Sequence, residues 1–179
     1  MSQRAIVVNR APVLTLWAVV VARRLGHERA TALTLGKAVA GLNAQSKGRR
    51  LGLFEAPEAA ARPKKAETRK ERKVIPLLGR AVPVARTAKG VRAVVKGRPE
   101  DPAAVQRYLE QKFGDDLGRV TAALNALAKS LPPRRLEAEA FALYEAFRPK
   151  IPEGVTGWGA KGVLDIARLR RMAAAGKKT

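Results

Sequence analysis

The sequence contains no cysteine and only one histidine, His27. The absence of cysteine excludes disulfide bonds, thiolate metal sites and cysteine nucleophiles, and it fits a reducing compartment. One histidine without cysteine cannot form a zinc site of the usual kind. The acidic pair Asp115/Asp116 suits the first turn of a helix, and Glu137/Glu139 point to different helix faces. We therefore expect no metal, no cofactor and no catalytic residue, and hence no enzyme.

Aromatic residues are few, at 4% of the 179 residues, whereas hydrophobic residues make up 46%. A disordered chain carries fewer apolar residues, so we expect a folded core built from Ala, Val and Leu. The apolar run at residues 11–22 is too short to span a bilayer. We expect a cytoplasmic protein without a membrane span, although Arg4 and Arg10 in front of this run also suit a targeting segment.

Acidic residues are scarce, with 15 Asp and Glu against 36 Lys and Arg, which leaves a net charge of +21. Residues 49–100 hold 15 of these cations and 5 acids, a net charge of +10. A compact chain with this excess repels itself and is stabilised beside a polyanion. DNA or RNA is the commonest such partner, and an acidic protein or a homodimer remains open.

Residues 1–54 predict a pair of helices. Pro12 suits a first helical turn and Gly26 a helix end, with apolar residues at helical spacing between them. A second helix is predicted from about His27 to Ser46, with Gly48 as its stop. Within it, Gly36 and Gly41 either weaken the helix or let another helix approach closely.

Residues 55–73 contain no large apolar residue and predict a basic linker or arm. From residue 74 to residue 98 the pattern alternates and is rich in valine, which indicates an antiparallel β-ribbon. The segment "TAKG" predicts its turn, with Gly90 at positive φ. Pro76 and Pro83 cannot donate to a ladder, so we expect both strands to be edge strands.

Residues 99–179 predict about four helices. Asp101-Pro102 is a cap followed by a first helical residue, Gly114 is a stop, and Asp165 is the cap of the last helix. The expected fold is mostly α (α+β), with an N-terminal helix pair, a small antiparallel β-ribbon and a C-terminal helical bundle. Residues 74–179 could also form one domain, and so could residues 1–179.

The N-terminal pair also fits a helix-turn-helix loosely, at Ala22, Gly26, Ala32 and Leu35. In that arrangement the second helix would direct Thr31, Thr34 and Lys37 outward to read base edges. A small transcriptional regulator is therefore one alternative function.

The segment "GWGAKG" places Gly157, Gly159 and Gly162 in the spacing of a dinucleotide-binding loop. A dinucleotide site needs a preceding strand and a later acidic residue, which are not expected here. A narrower hypothesis is that Lys161 and backbone amides before the last helix hold one phosphate, as in an enzyme with a phosphorylated substrate. The ordinary interpretation is a tight loop in which Trp158 fills the core.

The leading hypothesis is a non-catalytic nucleic-acid-binding protein, associated with the nucleoid or with RNA, that contacts the phosphate backbone. A basic subunit that docks an acidic protein partner is a further alternative. The expected contacts come from the end of the second helix, the linker, the ribbon and the last helix: Lys47, Arg49, Arg50, Arg62, Lys64, Lys65, Arg69, Lys70, Arg80, Arg86, Lys89, Arg92, Lys96, Arg98, Arg168 and Arg171.

Overall fold

A computed structural model describes residues 6–50, 73–95, 97–151 and 161–177 of the chain. These residues confirm the mostly α (α+β) fold, with a small antiparallel sheet and four helices after residue 99. The elements are β1 (Ile6–Asn9), α1 (Arg10–Arg24), α2 (Arg29–Arg50), β2 (Lys73–Leu77), β3 (Arg80–Thr87), β4 (Gly90–Val95), β5 (Arg98–Pro99), α3 (Pro102–Phe113), α4 (Leu117–Lys129), α5 (Pro133–Phe147), β6 (Lys161–Leu164) and α6 (Ile166–Lys177).

Helix α1 is the centre of the core, and its residues 12–22 are all buried. It packs against α2, α3, α4 and α5, which is why its sequence is apolar on every side. Trp17 is fully buried, and its indole Nε1 donates to the carbonyl of Ala140 in α5 at 2.9 Å. Its ring meets Phe147 edge to face, with 5.3 Å between the ring centroids. The core thus joins the N-terminal helices to the C-terminal ones.

Helix α2 packs closely on α1 at Gly36, which confirms the expectation that this glycine lets another helix approach closely. A Cβ at this position would lie 2.6 Å from the carbonyl oxygen of Thr15 and from a methyl group of Val19. The predicted stop at Gly48 is wrong, because α2 continues to Arg50. A glycine inside a helix costs only about 1 kcal/mol, so one glycine alone does not end a helix.

The ribbon is larger than predicted. Strands β2, β3, β4 and β5 form a four-stranded antiparallel sheet in that order. The turn prediction is confirmed, since Thr87 pairs with Gly90 and Gly90 has a φ of +121°. The prediction that Pro83 lies on an edge strand is wrong, because β3 lies between β2 and β4. The β3–β4 ladder ends at the pair Val84–Ala93, so Pro83 faces only β2, where its missing N–H is tolerated.

A second sheet was not predicted. Strand β1 pairs antiparallel with β6 in a two-stranded sheet, the β1–β6 ribbon, in which Ile6 lies opposite Leu164 and Asn9 opposite Lys161. Helix α1 follows β1 directly and begins at Arg10, so Pro12 lies in its first turn but is not its first residue. In the described part of the chain, no helix has the length and apolar character needed to cross a membrane.

Several predicted helix ends are confirmed. The Asp101 carboxylate accepts a hydrogen bond from the amide of Ala103 at 3.0 Å, with Pro102 as the first residue of α3. Gly114 ends that helix with a φ of +54°. Asp165 caps α6 by accepting from the amide of Arg168 at 3.2 Å.

Candidate nucleic-acid interface

The cations of the four-stranded sheet lie at its ends. Arg86 and Lys89 are exposed beside and in the β3–β4 turn, and Arg98 is exposed in β5. Arg80 is half-buried at the opposite end of β3, where its guanidinium donates to Oδ1 of Asn43 in α2 at 3.0 Å. Lys96 lies outside the described residues. The sheet therefore presents its positive charge at separate points and not along one face.

Arg92 is a correction to the predicted contact set, because it is only 8% exposed. Its guanidinium donates to the backbone carbonyls of Val91 and Lys89 at 2.9 and 3.2 Å. It also lies 3.7 Å from the carboxylate of Glu28, at the start of α2. Arg92 thus fastens the β3–β4 turn to the α1–α2 connection and is not available to a phosphate.

One side of β2 and β3 is apolar and faces solvent. Paired residues in the ladders share a side, which places Val74, Pro76, Ala81 and Pro83 together. Val74 is 57% exposed, and Pro76 and Ala81 are exposed as well. The predicted ribbon therefore has four strands with an apolar face on β2 and β3, and contact of its cations with phosphate stays a prediction.

The end of α2 and the linker hold many of the predicted contacts. Helix α2 continues about one turn beyond its predicted end at Ser46, so its last turns contain Lys47, Arg49 and Arg50. Arg62, Lys64, Lys65, Arg69 and Lys70 lie outside the described residues.

The side of α2 that a helix-turn-helix would use is covered. Thr31 is 4% exposed and Thr34 is fully buried, so the prediction that they point outward is wrong. The Thr31 hydroxyl donates to the carbonyl of Val91 at 2.8 Å, and the Thr34 hydroxyl accepts from the amide of Ala93 at 3.0 Å. Both threonines satisfy backbone groups of β4 that β5 does not reach.

Lys161 precedes α6, as the single-phosphate hypothesis assumed, but it lies in a strand and not in a loop. It is the first residue of β6, and the Asp165 carboxylate already occupies the first turn of α6. The amide of Val163 donates to the carbonyl of Lys150 at 3.0 Å, so it is not free for an anion either. Gly157 and Gly159, like Trp158, lie outside the described residues.

Lys161 instead belongs to a group of cations at one end of the β1–β6 ribbon, here called the ribbon cluster: Arg10, Arg148, Lys150 and Lys161. Lys161 pairs with Asn9, the neighbour of Arg10. Nε of Arg10 donates to the carbonyl of Pro149 at 2.9 Å, between the other two members of the cluster. Lys150 and Lys161 are exposed, and the two arginines are half-buried.

Close packing holds this cluster together. Gly162 is buried against the chain at Pro149 and Lys150, and a Cβ there would lie 2.8 Å from backbone atoms of both residues. Residue 150 also forms an antiparallel bridge to Val163. The end of α5 is thereby fixed against β6, which brings cations about 140 residues apart in the sequence into one place.

Positive charge dominates the electrostatics of the cluster, with Glu145 as an acidic neighbour of Tyr144. Burial lowers the pKa of Arg10 from its usual value, and the neighbouring charge of Arg148 lowers it further. Among the described residues, no carboxylate forms an ion pair with any member of the cluster. Burial raises the pKa of Tyr144 to about 12, against the opposing effect of Arg148 and Arg10. An anion bound here would offset the repulsion between the two guanidinium groups.

The last helix carries the remaining predicted contacts. Arg171 is exposed and lies 3.8 Å from the Asp165 carboxylate, a distance at which an exposed pair stabilises little. Arg168 is half-buried. Arg170 is exposed between them.

Three members of the ribbon cluster, Arg10, Arg148 and Lys150, were not in the predicted contact set. No local pattern marks them, because the pairing of β1 with β6 depends on segments at opposite ends of the chain. In the described ranges no three His, Asp or Glu residues come together as ligands for a metal ion.

Comparison of the chain with protein-family models, with curated proteins and with solved structures finds no match. Any assignment of function therefore depends on the residues themselves.

Proposed function

We propose that the protein binds nucleic acid through the phosphate backbone and does so without catalysing a reaction. The carrying observation is the ribbon cluster, four cations that share one end of a ribbon without a carboxylate partner among the described residues. Phosphate oxygens are strong acceptors for guanidinium and ammonium groups and would relieve this repulsion. The net charge of +21 supplies the long-range attraction for the same polymer.

The exposed cations at the β3–β4 turn and on α6 add weaker contacts in this proposal. Each has an acid in its surroundings, Glu28 near the turn and Asp165 near Arg171, which reduces the local potential. Backbone contacts of this kind position a protein but carry no sequence information. The burial of Thr31 and Thr34 removes two of the three side chains that the regulator hypothesis assigned to base reading. The third, Lys37, lies over the ring of Tyr108.

The first test is the salt dependence of binding to fluorescent duplex DNA, single-stranded DNA and RNA, measured by anisotropy. If about six phosphates are neutralised, the logarithm of affinity falls against the logarithm of salt with a slope of roughly −5. The three polymers also decide between DNA and RNA. A flat dependence for all three would contradict the proposal.

The second test locates the contacts. A triple variant, Arg148→Gln, Lys150→Gln and Lys161→Gln, removes three contacts and should make the slope shallower by about 3. The matched control is Arg107→Gln, Lys112→Gln and Arg134→Gln, which removes the same charge from exposed positions on α3 and α5. If both variants change the slope equally, only the net charge acts and the ribbon cluster has no special part. If an acidic protein co-purifies and survives nuclease treatment, the docking-subunit alternative replaces the proposal.

A further inference from the structure

A cleft along the C-terminal half of α1 has a chemistry that differs from that of the ribbon cluster. It lies between α1, α2, α3 and α4 and has a volume of about 500 Å³. Its floor is apolar and is formed by Leu16, Val19 and Val20 of α1, with Leu33 of α2 and Leu109 of α3. A volume of this size lies within the range of small-molecule sites.

The rim of the cleft is basic. Arg23 and Arg24 end α1, Arg29 begins α2, and Lys129 ends α4. The other polar lining groups are the neutral side chains of Gln106, Thr121 and Asn125, so none of the described residues that line the cleft is acidic. The rim therefore concentrates positive charge above an apolar floor.

Neutral acceptors hold the three arginines in place. Arg29 donates to the side-chain oxygen of Gln106 at 2.6 Å across the mouth of the cleft. Arg23 donates to the carbonyl of His27 at 3.1 Å, and Arg24 donates to the carbonyl of Leu131 at 3.2 Å. Nε of Arg24 is enclosed and has no acceptor among the described residues. These contacts orient the guanidinium groups but leave their charge without a counterion.

We infer that this cleft binds a small amphipathic anion, with an acidic head group on the arginines and an apolar body on the leucine and valine floor. Arginine binds carboxylate and phosphate in two-pronged geometry, and both heads share this chemistry. The apolar floor separates the site from a phosphate-backbone contact, which would gain nothing from it. The inference is independent of nucleic-acid binding, because it uses a different set of residues.

The test is a titration of the full-length chain with ligands that share one alkyl chain and differ only in the head: octanoate, octyl phosphate, octanol and octylammonium. Acetate and inorganic phosphate supply the heads alone. Isothermal calorimetry should show binding of one or both anionic octyl compounds, at least tenfold tighter than octanol, acetate or inorganic phosphate. The comparison of octanoate with octyl phosphate identifies the head.

Two variants locate the site. Arg29→Gln removes one charge at the rim and should weaken the bound anion about tenfold, as expected for a charged hydrogen bond. Thr121→Trp fills the cleft from its half-buried wall and should abolish binding, with circular dichroism as the check on folding. The matched control is Arg134→Gln, an exposed cation that does not line the cleft, and it should bind as the unaltered protein does.

The inference is overturned if octanol or octylammonium binds as tightly as the anions, if no compound in the series binds, or if Arg134→Gln weakens binding as much as Arg29→Gln. Binding that persists in Thr121→Trp would also overturn it. A titration with an acidic amphipathic peptide completes the set, and binding of that peptide alone would assign the cleft to a protein partner instead.

Discussion

The two β-sheets in the described part of the chain differ in how they are built and in where they place charged side chains. The four-stranded sheet comes from residues 73–99, joined by short turns. The β1–β6 ribbon joins residues 6–9 to residues 161–164. The sheet disperses its cations to its ends and buries one of them, Arg92, whereas the ribbon brings four together.

Within the described residues, the segment richest in positive charge along the sequence does not form the densest group of cations in space. Residues 49–100 carry nearly half of the net charge, yet the described part of that segment, apart from the end of α2, is a sheet in which β2 and β3 have an apolar outer side. The ribbon cluster draws its cations from residues 10, 148, 150 and 161, none of which belongs to that segment. A phosphate responds to cations that are close in space, so the ribbon is the stronger candidate.

The largest effect on stability should come from adding a methyl group at Gly162, in the β1–β6 ribbon. Gly162→Ala would place a Cβ 2.8 Å from backbone atoms of Pro149 and Lys150, which cannot move aside as a flexible side chain can. We expect a loss of about 3 kcal/mol in the free energy of unfolding, as for overpacking of a rigid site. Urea denaturation measures this loss.

Two other glycines sharpen the result. Gly79→Ala lies in the β2–β3 turn with open space around it but with a φ of +74°, so the strain should cost only about 1 kcal/mol. Gly118→Ala lies in α4 with nothing within 4 Å and should stabilise the protein by about 0.5–1 kcal/mol. Equal losses at positions 162 and 79 would show that the ribbon is no more tightly packed than the sheet.

A smaller effect should follow from separating the sheet from α2. Thr34→Val keeps the shape of the side chain but removes the oxygen that accepts from the buried amide of Ala93. Leaving that amide without an acceptor should cost about 2 kcal/mol. The matched control is Thr121→Val in α4, which makes the same change in helix propensity at a half-buried position. It should lower the free energy of unfolding by less than about 1 kcal/mol. If the two variants unfold alike, the contact between α2 and β4 does not anchor the sheet.

The contrast between the two sheets also explains what the sequence could predict. Turns and caps depend on neighbouring residues, and therefore Gly90, Asp101, Gly114 and Asp165 were all identified correctly. The position at which a helix ends depends on small free-energy contributions of individual residues that nearly cancel. For this reason Gly48 did not end α2.

The pairing of strands that are distant in the sequence produces no local sequence pattern. The candidate site depends on such a pairing, that of β1 with β6. Nothing near residue 6 indicates a partner at residue 164, so the cluster at Arg10, Arg148 and Lys150 was missed. The prediction for Thr31 and Thr34 of α2 was wrong for the same reason. A threonine hydroxyl on a helix can form hydrogen bonds either with water or with the backbone at the edge of a strand. Lys161 alone was identified, although as part of a loop and not of a strand.

The smallest of the three effects is a loss of stability at alkaline pH that arises at the end of the β1–β6 ribbon. Burial raises the pKa of Tyr144 to about 12, and its hydroxyl lies 3.4 Å from the carbonyl of Arg10 in the ribbon cluster. The unfolded chain releases this proton near pH 10 but the folded chain retains it, so stability present below pH 10 is lost as the pH rises towards 12. At pH 11 the loss from this one group is about 1.4 kcal/mol. Tyr144→Phe should therefore flatten the fall in unfolding free energy between pH 10 and 12.

The matched control is Tyr108→Phe in α3. Burial also raises the pKa of Tyr108, but this ring is half-buried beneath the ammonium of Lys37, with 4.0 Å from Nζ to the ring centroid. Its proton is therefore less strongly retained in the folded state, and its replacement should change the alkaline slope less. Ultraviolet absorbance of tyrosinate, followed with urea denaturation across the same pH range, separates the two. If Tyr108→Phe flattens the slope and Tyr144→Phe does not, the alkaline sensitivity lies between α2 and α3, and the end of the ribbon is more open to water than its packing indicates.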